Sequence, residues 1–180
     1  MFIIFLDSTC KERLHLVLLL DSSKHVTLNE WNDIKLFSSK YLKQLDSESV
    51  NIDIVSVGDR VEIIDAIGDA VHMNSDRYWS DGFVMAQRLL EASQSRRVVL
   101  SVTTQRQPDI IDGKLQNVLQ NLKSIDVDVK SVVLGSSGKL SDEYRVHTSK
   151  PFGNNLFKVH SSSMLKKFST VIAHASCRSD

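Results

Sequence analysis

Cysteine, glycine-rich loops and charge of one sign are all scarce in this 180-residue chain, and each shortage removes a class of protein. Only two cysteines occur, Cys10 and Cys177, so the interior is free of thiols. A chain of this length buries a substantial core without help from metals and fits one globular unit better than two. Lysine plus arginine number 22 and aspartate plus glutamate 22, with no run of like charges. A phosphate-binding surface needs a concentrated cationic excess, so nucleic acid is not an expected partner. The most basic spots, "MLKKF" from Met164 to Phe168 and Arg96-Arg97, read as solvated helix and strand ends.

No apolar run approaches the roughly 20 residues that span a bilayer, so membrane insertion is not expected. The opening "MFIIFL" is too short for a secretory signal and lacks its charged flank and cleavage pattern, so a secreted form takes its signal from a longer parent chain. The chain has no Asn-x-Ser/Thr acceptor, which argues neither for secretion nor against it. No Gly-rich loop follows the first apolar run, so the backbone cradle of a nucleotide site is missing. No G-x-S-x-G elbow surrounds Ser22 or Ser23, which leaves a hydrolase with His25 nearby but no oxyanion hole. Aspartyl phosphotransfer from Asp21 wants a second acid where Ser23 stands.

What the chain does have is an alternation of strands and helices. Leu14 to Leu20 is a continuous apolar run, the pattern of a strand buried on both faces in a parallel sheet. "TLNE" follows, with Thr27 as N-cap and Glu30 three residues on, a capping box opening a helix that carries Trp31, Ile34, Phe37, Tyr41 and Leu45. "VNIDIVSVGDRVEII" reads as two strands joined at Gly58-Asp59, a hairpin that places one antiparallel strand at the sheet edge. Asp65 to Val71 reads as a short helix and "HMNSDRYW" as a loop. Ser80 or Asp81 caps the next helix, with Val84, Met85, Leu89 and Leu90 toward the sheet. "RRVVLSV" is a buried strand and "QRQPD" a turn, followed by an amphipathic helix through Leu115, Val118, Leu119 and Leu122. "DVKSVVLG", the loop "GSSGKLSDEY" and the strand "LFKVH" lead to a last helix capped within Ser161 to Ser163, with Leu165, Phe168, Val171 and Ile172 inward.

Such alternation gives an α/β fold: a doubly wound, mostly parallel central sheet with helices on both faces. Right-handed crossovers bring the loop after Leu20 and the loop after Val102 to the same edge. The cysteines frame the elements and are either a terminal clasp or two unrelated free thiols. A clasp over that span is worth about 5 kcal/mol in the chain-entropy account and implies an oxidising compartment. His15, His72, His147, His160 and His174 are scattered and carry no ligand pattern. Tyr78-Trp79, two aromatics in a loop beside the crevice, read either as a protein-binding anchor or as filler of the space beside it.

An apolar strand ending in Asp-x-Ser, this element order and the cysteine framing resemble the von Willebrand factor type A domain from Cys10 to Cys177, with "LVLLLDSSKH" as the most specific part. The resemblance makes 1–9 a flank or linker, 10–177 a single domain and 178–180 a tail. "DAIGDAVHMNSDRYWSDGFVMAQRLL" and "NNLFKVHSSSMLKKFSTVI" look most like the A domains of extracellular matrix proteins, especially the divergent C-terminal domains of collagen VI chains. The family's metal-ion-dependent adhesion site holds Mg²⁺ with the D-x-S-x-S side chains, a threonine from a second loop and an aspartate from a third, leaving one position for a partner's carboxylate. Here Asp21 and Ser23 match, but His25 stands third, Tyr78 or Trp79 falls at the threonine, and Thr103 falls at the aspartate. A single carboxylate is left, and imidazole is a poor magnesium ligand.

The resemblance therefore implies a degenerate site: no cofactor, and Asp21 in a structural role, hydrogen-bonded to loop amides and to Ser23. Asp81 swinging in as a second carboxylate, or His25 recruiting a transition metal, is the dissenting arrangement. The implied function is a non-enzymatic protein-protein interaction module of a secreted matrix or adhesion protein, its partners other matrix proteins or chains of the same assembly. The competing classes are a Mg²⁺-dependent adhesion domain and an intracellular scaffold, which predicts free thiols at Cys10 and Cys177.

Overall fold

The computed structural model describes residues 10, 12–45, 48–105, 113–135 and 142–178. The N-terminal flank, most of the "QRQPD" turn, the "GSSGKLS" loop after its first glycine and the last two residues lie outside the described residues. Six strands form one sheet in the order β3-β2-β1-β4-β5-β6. They are β1 (Leu14–Asp21), β2 (Val50–Val57), β3 (Val61–Ile64), β4 (Arg96–Thr104), β5 (Val127–Leu134) and β6 (Leu156–Val159). Every pairing is parallel except β2 with β3, the hairpin at Gly58-Asp59. The fold is thus the doubly wound α/β arrangement that the alternation of runs implies.

Strand β1 is central because its sequence is apolar on both sides. Leu16, Leu18 and Leu20 enter one core cluster and Val17 and Leu19 the other, as the two-residue period of a strand requires. The first cluster is covered by α1 (Leu28–Leu42), α6 (Ser162–Leu165) and α7 (Ser169–Cys177), the second by α2 (Trp79–Glu91) and α3 (Gly113–Ser124). Two short helices, α4 (Asp142–Val146) and α5 (Phe152–Asn155), lie on the crossover from β5 to β6.

Helix α1 starts where the capping box puts it. The Glu30 amide donates to Thr27 Oγ1 at 3.4 Å, and the Thr27 amide donates to the Glu30 carboxylate at 2.8 Å. Its inward face, Trp31, Ile34, Phe37 and Tyr41, is almost wholly excluded from solvent. Each such side chain contributes about 2 kcal/mol on full burial.

Three local expectations are corrected. Helix α2 begins at Trp79, before either proposed cap, and no side chain caps it. Its buried face is Trp79, Gly82, Phe83, Ala86 and Leu90, while Val84, Met85 and Leu89 are only partly buried. Gly82 explains the rotation: a Cβ there would sit 2.8 Å from Val57 Cγ2, so the helix lies closest to the sheet along the glycine. The short helix expected from Asp65 to Val71 is a single 3-10 turn at Ile67–Asp69. The final helix is broken into α6 and α7, which leaves Val171 exposed while Leu165 and Ile172 are buried. Lysine 130, inside an apolar strand, is buried against Asp128 at 2.7 Å and bonded to Asn155.

Cys10 and Cys177 form a disulfide with Cα atoms 4.8 Å apart, at the amino-terminal edge of the sheet. Replacing both with serine restores 167 residues of loop freedom to the unfolded chain. The expected outcome is a stability loss of up to about 5 kcal/mol, read as a lower midpoint in urea with a steeper transition slope, because the unclasped chain unfolds to a more expanded state.

Candidate functional site

The strand order reverses direction between β1 and β4, and open α/β sheets place their crevice at such a point, beyond the carboxyl ends of the strands. Leu20 pairs with Val102 there, which sets Asp21 beside Thr103. The loop after β1 is zipped to segment 70–78 by main-chain bonds: the Met73 amide donates to Ser22 O at 2.9 Å, and the Lys24 amide to Ser75 O at 2.8 Å. His72 Nε2 lies 3.0 Å from Ser23 O and 2.8 Å from Val26 O. Both partners are carbonyls, so this nitrogen carries the proton. These bonds bring residue 77 over the strand ends.

Asp21 is fully buried, and four hydrogen bonds end on its carboxylate. Oδ1 accepts from Ser23 Oγ at 2.6 Å and from the Ser23 amide at 3.1 Å. Oδ2 accepts from Thr103 Oγ1 at 2.8 Å and from Arg77 Nη1 at 2.6 Å. The same Nη1 donates to Thr103 Oγ1 at 2.7 Å, closing a triangle across two strand ends and a loop. Arg77 itself is a side chain only 3% exposed, its guanidinium carbon 5.8 Å from the centre of the Trp79 ring. The pair is therefore a buried ion pair whose carboxylate has its lone-pair positions taken.

A divalent ion does not fit this arrangement. The oxygens that would bind it, on Asp21, Ser23 and Thr103, already bond to one another and to a protein cation. Among the described residues no three His, Cys, Asp or Glu side chains converge as a metal cage. Asp81 pairs with Lys114 of α3, away from Asp21. His25 is partly buried, and burial together with the Arg77 charge lowers its pKa below the ordinary histidine value. From the loop that holds Tyr78 and Trp79, the side chain that reaches Asp21 is Arg77. The two aromatics part company: Trp79 is buried against Phe83, whereas Tyr78 is 50% exposed. Ser22 and Ser23 are buried, their hydroxyls donating to Val57 O and to Asp21.

Arg77 was not singled out from the sequence because an arginine in "NSDRYW" reads as solvated. A signal was present: a buried strand-end aspartate with hydroxyl neighbours and no second carboxylate requires one positive charge, and the second loop contains one arginine. A second concavity, a cleft of about 830 Å³ on the opposite edge of the sheet, is bordered by Lys123, Arg145 and Lys150 but also by Glu12, Asp126 and Asp128. Its mixed charge selects no ligand class.

His147, which lines that cleft, lies between the rings of Phe83 and Tyr144. Burial, helped by the Arg77 charge, pushes its pKa from 6.5 down to about 4. As pH falls the unfolded chain takes this proton first, so stability present above pH 6.5 is lost progressively toward about pH 4. The loss due to this one group amounts to about 3 kcal/mol. Urea unfolding across that range, compared with His147→Phe, should show a shallower acid slope in the variant.

No protein-family model matches the chain, and no curated sequence does. Solved structures do. Proximal thread matrix protein 1 from the mussel byssus superposes with a TM-score of 0.75 at 16% identity, over 93% of this chain and 47% of that one. The same protein "with zinc occupied MIDAS motif" gives 0.72 at 15% identity, over 94% and 47%. A von Willebrand factor type A structure from Catenulispora acidiphila gives 0.74 at 10% identity, over 92% and 43%. This chain thus spans about half the length of the structures it matches. At these identities the likeness speaks to architecture, and in architecture the chain has the Rossmann-like fold of a von Willebrand factor type A domain.

Proposed function

We propose that the chain is a non-enzymatic protein-protein interaction module of a secreted extracellular matrix or adhesion protein, and that it binds its partner without a bridging metal. The observation that carries this reading is the Asp21–Arg77 pair. A partner carboxylate has no open metal position to meet, and the guanidinium lies too deep to replace one. The disulfide supports an oxidising compartment. The likeness to a byssal matrix protein supports the matrix setting, and the collagen VI-like segments of the sequence point the same way.

Binding then falls to the outer surface of the loop face. Tyr78 is half exposed there, and Val71 earlier in the same segment and Leu28 at the start of α1 are exposed as well. Exposed aromatic side chains of this kind act as anchors in protein interfaces. The partners are other matrix proteins or further copies of the parent assembly.

The test is surface plasmon resonance against immobilised matrix proteins and against the chain itself, in Mg²⁺ and in EDTA. Binding is expected to be equal in the two buffers, and Tyr78→Ala is expected to weaken it about tenfold, a hot-spot effect, with the melting temperature unchanged. Loss of binding in EDTA would replace this reading with cation-bridged adhesion.

A further inference from the structure

The crevice already contains a cation, and the chain supplies it. Resting on the metal-free reading of this site, we infer that Arg77 is a tethered substitute for a divalent ion: one side chain sets the loop geometry and keeps the oxygen cluster shut.

Position is the first argument. Arg77 Nη1 stands 2.6 Å from Asp21 Oδ2 and 2.7 Å from Thr103 Oγ1, so it joins the carboxyl ends of β1 and β4 to the loop before α2. A small divalent ion bonded to those oxygens at about 2.1 Å would overlap the nitrogen, so the two cannot coexist. Chemistry is the second. Without the guanidinium, what faces the space is a carboxylate and the hydroxyls of Ser23 and Thr103, all buried and all hard oxygen. That is the donor type that magnesium and manganese select.

Charge decides which cation the site takes. One aspartate and one guanidinium sum to zero in a place with no solvent to screen an imbalance. A divalent ion with a single carboxylate leaves a net positive charge buried, which is costly. The presence of Thr103 rather than an acid beside Asp21 and the presence of Arg77 are therefore two halves of one arrangement. Changing both should reverse it: Thr103→Asp adds the second carboxylate next to Asp21, and Arg77→Thr opens the space and supplies an oxygen.

The experiment titrates Mn²⁺ by calorimetry into the chelator-stripped wild type and the Arg77→Thr/Thr103→Asp variant, with thermal melts of both. The variant is expected to bind saturably at or below millimolar Mn²⁺ and to melt higher with the ion, and the wild type to do neither. Saturable binding by the wild type would overturn the metal-free reading and this inference with it. A folded variant that binds no Mn²⁺ would overturn the inference alone. If the variant does not fold with or without the ion, a second pair decides. Arg77→Met strands a buried carboxylate and should melt about 10 °C lower, whereas Asp21→Asn with Arg77→Met should regain at least half of that loss. Strictly additive losses would refute the role given to Arg77.

Discussion

A buried carboxylate at the carboxyl end of the central strand has to be neutralised, and groups from two strand ends and two loops meet that requirement. Asp21 lies where β1 leaves the sheet, with no access to water. Its charge is met by Arg77, which arrives from a loop 56 residues away and is held by main-chain bonds from the neighbouring turns. The guanidinium that meets it lies 5.8 Å from the centre of the buried Trp79 ring, at the first residue of α2. A buried pair of this kind stabilises only when its remaining hydrogen-bonding positions are filled. Ser23 and Thr103 fill them.

The two faces of the sheet show a different kind of constraint. There the requirement is volume, and it is met by simple alternation of Leu and Val along β1, β4 and β5. Many sequences satisfy it, which is why structures with as little as 10% identity superpose over nearly the whole chain. The crevice has no such latitude: Thr103 beside Asp21 leaves one carboxylate, and one cation meets it.

How much could be read in advance follows from the range of the interactions. The β1 run, the Thr27–Glu30 box and the Gly58-Asp59 hairpin are set by residues within a few positions of one another, and each occurs where the sequence places it. The buried face of α2 was misjudged because hydrophobicity alone favours Val84 and Met85, whereas the decisive residue is Gly82, whose value lies in what it lacks. Val171 was misjudged because the break between α6 and α7 shifts the helical phase. Arg77 and Lys130 escaped because a charged residue reads as solvated until its partner is known. Asp21 and Thr103, to which Arg77 donates, are 56 and 26 positions away from it.

The disulfide at the amino-terminal edge has a mechanical side. Its two Cα atoms are 4.8 Å apart, and every strand and every helix of the described structure lies between them along the chain. Tension applied from outside the clasp therefore passes from one flank to the other through a covalent bond and never loads the hydrogen bonds of the sheet. While the bond is intact the domain behaves under load as a bead on a line, adding almost no length when pulled. Reduction would turn the same segment into a reserve of more than a hundred and sixty residues that could pay out under force.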